Sequence, residues 1–368
     1  MKKIIALVIA LLMLFIISGC RQDDYEPQKS TEEESAVIYT LTAEGKKYEV
    51  KHELYRALFL NYKGEVDGGD STVWSGENKD EYVARINEII LERASSIYSV
   101  IHLSDKLGLG PYSSETEEKI TEYIRLSVDG NGADVVGFEG DYEAYLASLT
   151  EMNVNYSVQV LLLRYTLMLE KLNEYYVGTE DAALGHLDGE FEYTKEDVKK
   201  YYDSDECARV LQGFIQRDAV EGSLDRAKSL KYTVENSSTD INAALAIINT
   251  TTATPTDLIV DGKVAGIIIG KSTVTEPTYK SYTEALFALE DGQVSDIIEI
   301  SGVDPGYFVI YRLEKTDEHF EREYDKVKLS YLNNKVGEEL KNIEDSLTED
   351  VNYSTNFEEL SHADISMK

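Results

Sequence analysis

The chain has 368 residues, and its 69 acidic against 36 basic residues give a formal net charge of −33. An excess of that size repels nucleic acid and anionic lipid headgroups, so neither is expected as a partner held by charge. Only Cys20 and Cys207 are present, alongside 26 tyrosines, one tryptophan and five prolines, so an ordered chain stabilised by packing is expected rather than a disulfide scaffold.

Met1-Lys2-Lys3 opens the chain with basic charge, Ile4 to Ile17 is an unbroken apolar run, and Ser18-Gly19 places small residues before Cys20. That is a charged start, a secretory-length apolar stretch and a small-residue cleavage site. Fourteen apolar residues fall short of the roughly 20 that span a bilayer as a helix. Ile17-Ser18-Gly19-Cys20 resembles the lipobox of bacterial lipoproteins, which implies a signal peptide over 1–19, a lipidated Cys20 and an extracytoplasmic body on the membrane. Loss of Lys2 and Lys3 with that signal would bring the charge to −35. With Cys20 acylated, Cys207 has no disulfide partner and reads as a small buried hydrophobe.

Residues 21–35 are polar, acidic and aperiodic, and read as a disordered tether within 20–36. Val37 to Tyr48 reads as a hairpin about Ala43-Glu44-Gly45. Helices are predicted over 49–62, 80–107, a segment opening at Ser113, 142–149, 157–176 and 194–202, with hydroxyl caps at Ser113 and Thr194. Residues 37–204 are therefore expected to be mostly helical. After Asp205 the pattern becomes strand (208–216), helix (219–230), helix (239–248), strand (264–269), helix (281–289) and two strands (294–300, 307–313). That is an α+β unit over 205–316. A charged helix is predicted over 318–347, followed by an extended tail.

Familiar catalytic machinery is absent from the sequence. His52, His102, His186, His319 and His362 are widely spaced, and no HExxH, CxxC or phosphate-binding loop occurs, so no metal and no cofactor is expected.

The α+β unit carries a further resemblance. Ala208-Arg209-Val210-Leu211, the run Phe287 to Ser295 (FALEDGQVS) and Gly306-Tyr307-Phe308-Val309-Ile310 resemble, in order, the first strand, the late helix and turn, and the last strand of parvulin (PpiC-type) peptidyl-prolyl isomerases. The resemblance implies an isomerase-like domain. Val210 and Phe308 stand where that family places its paired histidines, and neither side chain can donate or accept a hydrogen bond. No catalytic residue is assigned; the resemblance leaves peptidyl-prolyl isomerase activity open, while the replaced histidines point to a catalytically degenerate domain serving as a scaffold or peptide-binding surface. Val210, Leu211, Phe287, Leu289, Tyr307 and Phe308 are its candidate pocket.

The lipobox, the helical domain, the insert and the long last helix together resemble the SurA/PrsA type of extracytoplasmic foldase. Gly45 to Val50 (GKKYEV), Leu107-Gly108-Leu109 and Thr194 to Tyr202 (TKEDVKKYY) add to that likeness. It implies a chaperone domain built from 37–204 and 317–368 around the insert. Unfolded, newly exported polypeptides would be its partners, bound through apolar and aromatic surface. Tyr55, Tyr62, Tyr82, Tyr98, Tyr123, Tyr142, Tyr145, Tyr165, Tyr175 and Tyr176 are candidates for such contacts or for the helical core. A solute-binding or structural surface lipoprotein would share the tether and size. The former needs two α/β lobes, against which the helical run over 49–203 argues.

Overall fold

The computed structural model describes residues 25, 28–130, 137–181, 185–217, 222–251, 258–273, 279–300 and 305–351. Cys20 and the expected signal peptide lie outside them. The fold is α+β, with helices and small antiparallel sheets in two compact units, 1–172 with 340–368 and 173–339. Among the described residues no helix is long and apolar enough to cross a membrane.

The first unit opens with strands β1 (Val37–Ala43) and β2 (Lys46–Lys51). They are joined by Glu44-Gly45 with φ of 49° and 83°, the two positive values a tight hairpin turn demands and the reason glycine stands second. Helices α1 (His52–Asp67), α2 (Lys79–Lys106), α3 (Ser114–Asp129) and α4 (Tyr142–Glu151) follow, then α5 (Tyr156–Val177), which runs on into the second unit. Ser113 caps α3 by accepting from Thr116 N at 3.2 Å. Asp141 caps α4 through Ala144 N at 2.9 Å. Leu41, Val50, Tyr55, Phe59, Ile86, Ile90 and Ile101 are buried in this unit. Trp74 lies 5.0 Å from the Phe59 ring and donates its indole N–H to Asp67 Oδ2 at 2.8 Å.

The second unit begins with a small hairpin, β3 (Thr179–Asp181) and β4 (Gly185–Leu187), and helix α6 (Lys195–Asp203). Thr194 and Asp197 cap α6 reciprocally. Then come β5 (Cys207–Gln216), α7 (Ser223–Glu235), α8 (Asp240–Thr250), β6 (Ile259–Val260), β7 (Lys263–Val264), β8 (Ile267–Gly270), α9 (Lys280–Ala288), β9 (Ile298–Ile300) and β10 (Gly306–Arg312). Strands β8, β5, β10 and β9 form one antiparallel sheet in that order. Its side chains alternate between two cores. Leu211, Ile215, Val309 and Leu313 meet Leu230, Val234 and Ile247 of α7 and α8 on one side. Ala208, Val210 and Ile310 meet Tyr282 and Leu286 of α9 on the other. The chain continues through α10 (Asp317–Arg322) and α11 (Tyr324–Ser346) to β11 (Thr348–Val351). Strand β11 pairs antiparallel with β1 in the first unit.

A buried polar hub ties α6 and α10 to the sheet. Arg209 donates to the carbonyls of Ala265 (3.1 Å), Glu314 (2.8 Å) and Val264 (2.5 Å). His319 Nε2 lies 2.8 Å from Ala265 O, and Nδ1 lies 2.9 Å from the Tyr202 hydroxyl. A carbonyl can only accept, so His319 carries a proton on Nε2, and in the neutral ring Nδ1 receives the Tyr202 O–H. The compact unit therefore extends beyond 205–316 on both sides, because its sheet leans on Tyr202 before it and His319 after it.

Burial, reinforced by the Arg209 cation, lowers the His319 pKa from its ordinary 6.5 to about 4. The unfolded chain then binds the proton first, so stability present above pH 6.5 is lost as pH falls toward 4. We expect unit two to lose about 2 kcal/mol between pH 7.5 and pH 5 in urea titrations. His319→Gln should flatten that slope, and an unchanged slope would count against the hub. His52, buried and shifted down by desolvation, adds a loss of the same sign in the first unit.

Several expectations are corrected. The run 264–269 is not one strand: Gly266 at φ 72° breaks it, and a Cβ there would meet Leu313 Cδ1 at 2.7 Å and Val210 O at 3.0 Å. The strand expected from Val294 is reduced to 298–300. Buried Ser295 takes the Ile310 N–H on its hydroxyl at 3.0 Å, replacing a ladder bond. The helix expected over 318–347 is two helices, separated at Glu323. The tether is ordered over 28–36 and at Tyr25. Glu34 and Thr31 cap one another, and Ser30 donates to Glu53 at 2.5 Å.

Candidate functional site: an aromatic face on the sheet

Along β5, side chains 210, 212 and 214 share the α9 side of the sheet, and in β10 the matching set is 308, 310 and 312. The register pairs Phe308 with Phe214, Ile310 with Gln212 and Arg312 with Val210. Two aromatic rings thus stand side by side near one end of the strands, their centroids 4.7 Å apart. Helix α9 adds Tyr282, whose ring is 5.0 Å from Phe308 and edge-on to it. Tyr279, just ahead of α9, lies 6.4 Å from Phe308 and likewise edge-on. Edge-to-face and offset arrangements are those the ring quadrupoles prefer.

The group is graded in exposure. Tyr282 is buried, while Phe214, Phe308 and Tyr279 are half-buried. Tyr282 donates its hydroxyl to Gln212 Oε1, and burial drives its pKa up, so it stays a neutral donor. The Phe214 ring lies over Gly306, where a Cβ would meet it at 2.5 Å. At the other end of the strands Arg312 is buried beside the Phe287 ring, 6.0 Å from its centroid, and 3.6 Å from Asp291. The face is therefore an apolar ledge with one neutral polar pair in its floor and a cation at its margin.

Of the six candidate pocket residues, Val210, Phe287, Leu289 and Phe308 come together on this face. Leu211 and Tyr307 do not. They point into the opposite core with α7 and α8, as the two-residue period of a strand requires of neighbours. Val210 is fully buried, so it floors the face rather than lining an opening. Phe214, Gln212, Tyr279 and Tyr282 were missed. Counting every second residue from Val210 would have found the first two.

Cys207 is buried and unpaired, and burial raises its thiol pKa to about 11, so it is inert as a nucleophile. Four of the ten candidate tyrosines, Tyr55, Tyr98, Tyr145 and Tyr176, are buried core residues. Among the described residues no group of three or more His, Cys, Asp or Glu side chains is placed to hold a metal ion.

No known family model matches the sequence, and no curated protein matches it. Among solved structures, the chain is similar to the foldase protein PrsA from Streptococcus pneumoniae at 16% identity and a TM-score of 0.28, over 75% of this chain and 89% of that one. PrsA from Bacillus subtilis is similar at 14% identity and a TM-score of 0.24, over 77% and 93% of the two chains. Scores this low do not establish a shared overall arrangement, so the function proposed below rests on this chain's own residues.

Proposed function

We propose that the protein is a membrane-anchored extracytoplasmic chaperone, acylated at Cys20, that binds apolar segments of unfolded exported polypeptides. The observation that carries this reading is the half-buried ledge of Phe214, Phe308 and Tyr279. Its rings offer apolar area to a peptide, and Tyr282 with Gln212 keeps the floor neutral. A chaperone needs such surface and no catalytic residue. The chain's net charge of −33 keeps copies apart and favours clients that carry positive charge.

Prolyl isomerisation is not the activity we assign. The resemblance places histidines at positions held here by Val210, buried beneath the ledge, and Phe308, whose ring packs tilted against Phe214. Neither can polarise a twisting prolyl amide. Two assays separate the readings. A chemically denatured client diluted into buffer should aggregate less at stoichiometric protein, and no effect at excess would sink the chaperone reading. In a protease-coupled assay on a proline peptide the rate should equal that of buffer, and acceleration would restore the isomerase reading.

A further inference from the structure

The residues that follow Cys20 are held to the first unit far sooner than their composition implies. Tyr25 donates its hydroxyl to Asp129 Oδ1 at 2.7 Å, and its ring stacks on Tyr142 with centroids 4.9 Å apart. Tyr142 in turn stacks on buried Tyr145, 6.0 Å away. A second clamp follows at once. Ser30 Oγ lies 2.5 Å from Glu53 Oε2 and 2.7 Å from Ser157 Oγ. Asn155 donates to both Glu53 (2.9 Å) and Glu34 (3.3 Å). The backbone joins in, with His52 N on Ala36 O at 2.8 Å and Glu53 N on Glu34 O at 3.1 Å. These contacts link the start of the chain to α1, to the end of α3 and to the starts of α4 and α5.

We propose that this docking is a short leash that makes the Asp129–Tyr142 corner of the first unit its membrane-proximal face. The proposal rests on the acylation of Cys20 proposed above. Five residue steps separate Cys20 from Tyr25, a reach of at most about 18 Å even when fully extended. A chain free as far as Ser35 could reach about 50 Å.

The corner does not adsorb to lipid on its own. Asp129, paired with Arg125 at 3.3 Å, lies there with Glu139, Asp141 and Glu143, a net negative set that an anionic surface repels within a Debye length of about 8 Å. Proximity is therefore imposed by the docked chain, and a longer leader should release it. The ligand is a lipid surface met within the reach of that short tether.

The test uses the full acylated chain on phosphatidylcholine–phosphatidylglycerol vesicles doped with a nickel-chelating lipid. A nitroxide is placed at Glu143→Cys, an exposed site; Cys207 is buried and stays unlabelled. Nickel at the headgroups should speed nitroxide relaxation at least threefold more in the native leader than in a Tyr25→Ala/Ser30→Ala variant. A ten-residue Gly-Ser insertion between Asp24 and Tyr25 should lower the relaxation in the same way while leaving every docked contact intact. Equal relaxation in the three chains overturns the leash and leaves the anchor standing. A chain that does not sediment with vesicles overturns the Cys20 anchor and the leash with it.

Discussion

Replacing Arg209 with methionine is expected to destabilise the second unit by about 3 kcal/mol. Methionine keeps the length and packing of the stem but removes three charge-assisted bonds to the carbonyls of Val264, Ala265 and Glu314. Two of those acceptors keep another donor, Arg322 Nη2 at 3.0 Å on Val264 O and His319 on Ala265 O. The Arg209 bond is the one hydrogen bond the described contacts give to the Glu314 carbonyl. The Glu314 carbonyl is only part-buried, so the loss of three charge-assisted bonds, rather than the orphaning of an acceptor, sets the size of the effect. Relief of the desolvation of the guanidinium offsets part of it, which keeps the figure below the larger losses seen when a buried ion pair is broken. Urea unfolding followed by circular dichroism measures the shift. Trp74, the sole tryptophan, sits in the first unit and reads that unit's transition separately by fluorescence. An unchanged circular-dichroism midpoint would remove the hub from the account of stability.

The second large effect is functional. Phe214→Ser combined with Phe308→Ser should weaken client capture at least tenfold. Each ring is half-buried already, so the area left to cover by a client amounts to about 1 kcal/mol per ring, and two such losses correspond to roughly 30-fold. The control is Tyr232→Ser on α7, which removes a ring that is 69% exposed. Helix α7 packs on the opposite side of the sheet, so this variant should protect a denatured client as well as the native chain does. If Tyr232→Ser abolished protection while the double variant kept it, the client surface would belong to the α7–α8 side.

Where local chemistry decides structure, the sequence was easy to read. Glu44-Gly45 forced the hairpin, and the hydroxyls of Ser113 and Thr194 marked helix starts that the fold uses. The α+β order after Asp205 followed from period and punctuation alone. Misreadings arose where distant partners intervene. Nothing near Tyr25 or Ser30 announces that Asp129 and Ser157 will hold them, more than 100 positions away. Glu323 is a good helix former, yet it interrupts the last helix. Its buried carboxylate is held by Arg322 (2.9 Å) and Lys326 (3.1 Å). At the site, choosing residues for apolarity put Leu211 and Tyr307 beside Val210 and Phe308. Strand alternation sends them to the other core, and it would also have revealed Phe214 and Gln212.

The pairing of β1 with β11 sets an order of events for the newborn chain. Residues 39–42 bond residues 348–351, so the three-stranded sheet of the first unit closes only after almost the whole polypeptide has emerged. Until then β1, with the sequence VIYTLTA, presents an open edge of the kind that invites pairing with strangers. The second unit needs only residues 173–339 and is complete earlier, so it is expected to fold first during synthesis from the N-terminus. Long-range closure of this kind is slow. A molecule proposed to shelter unfinished chains is itself, for that interval, an unfinished chain with an exposed strand.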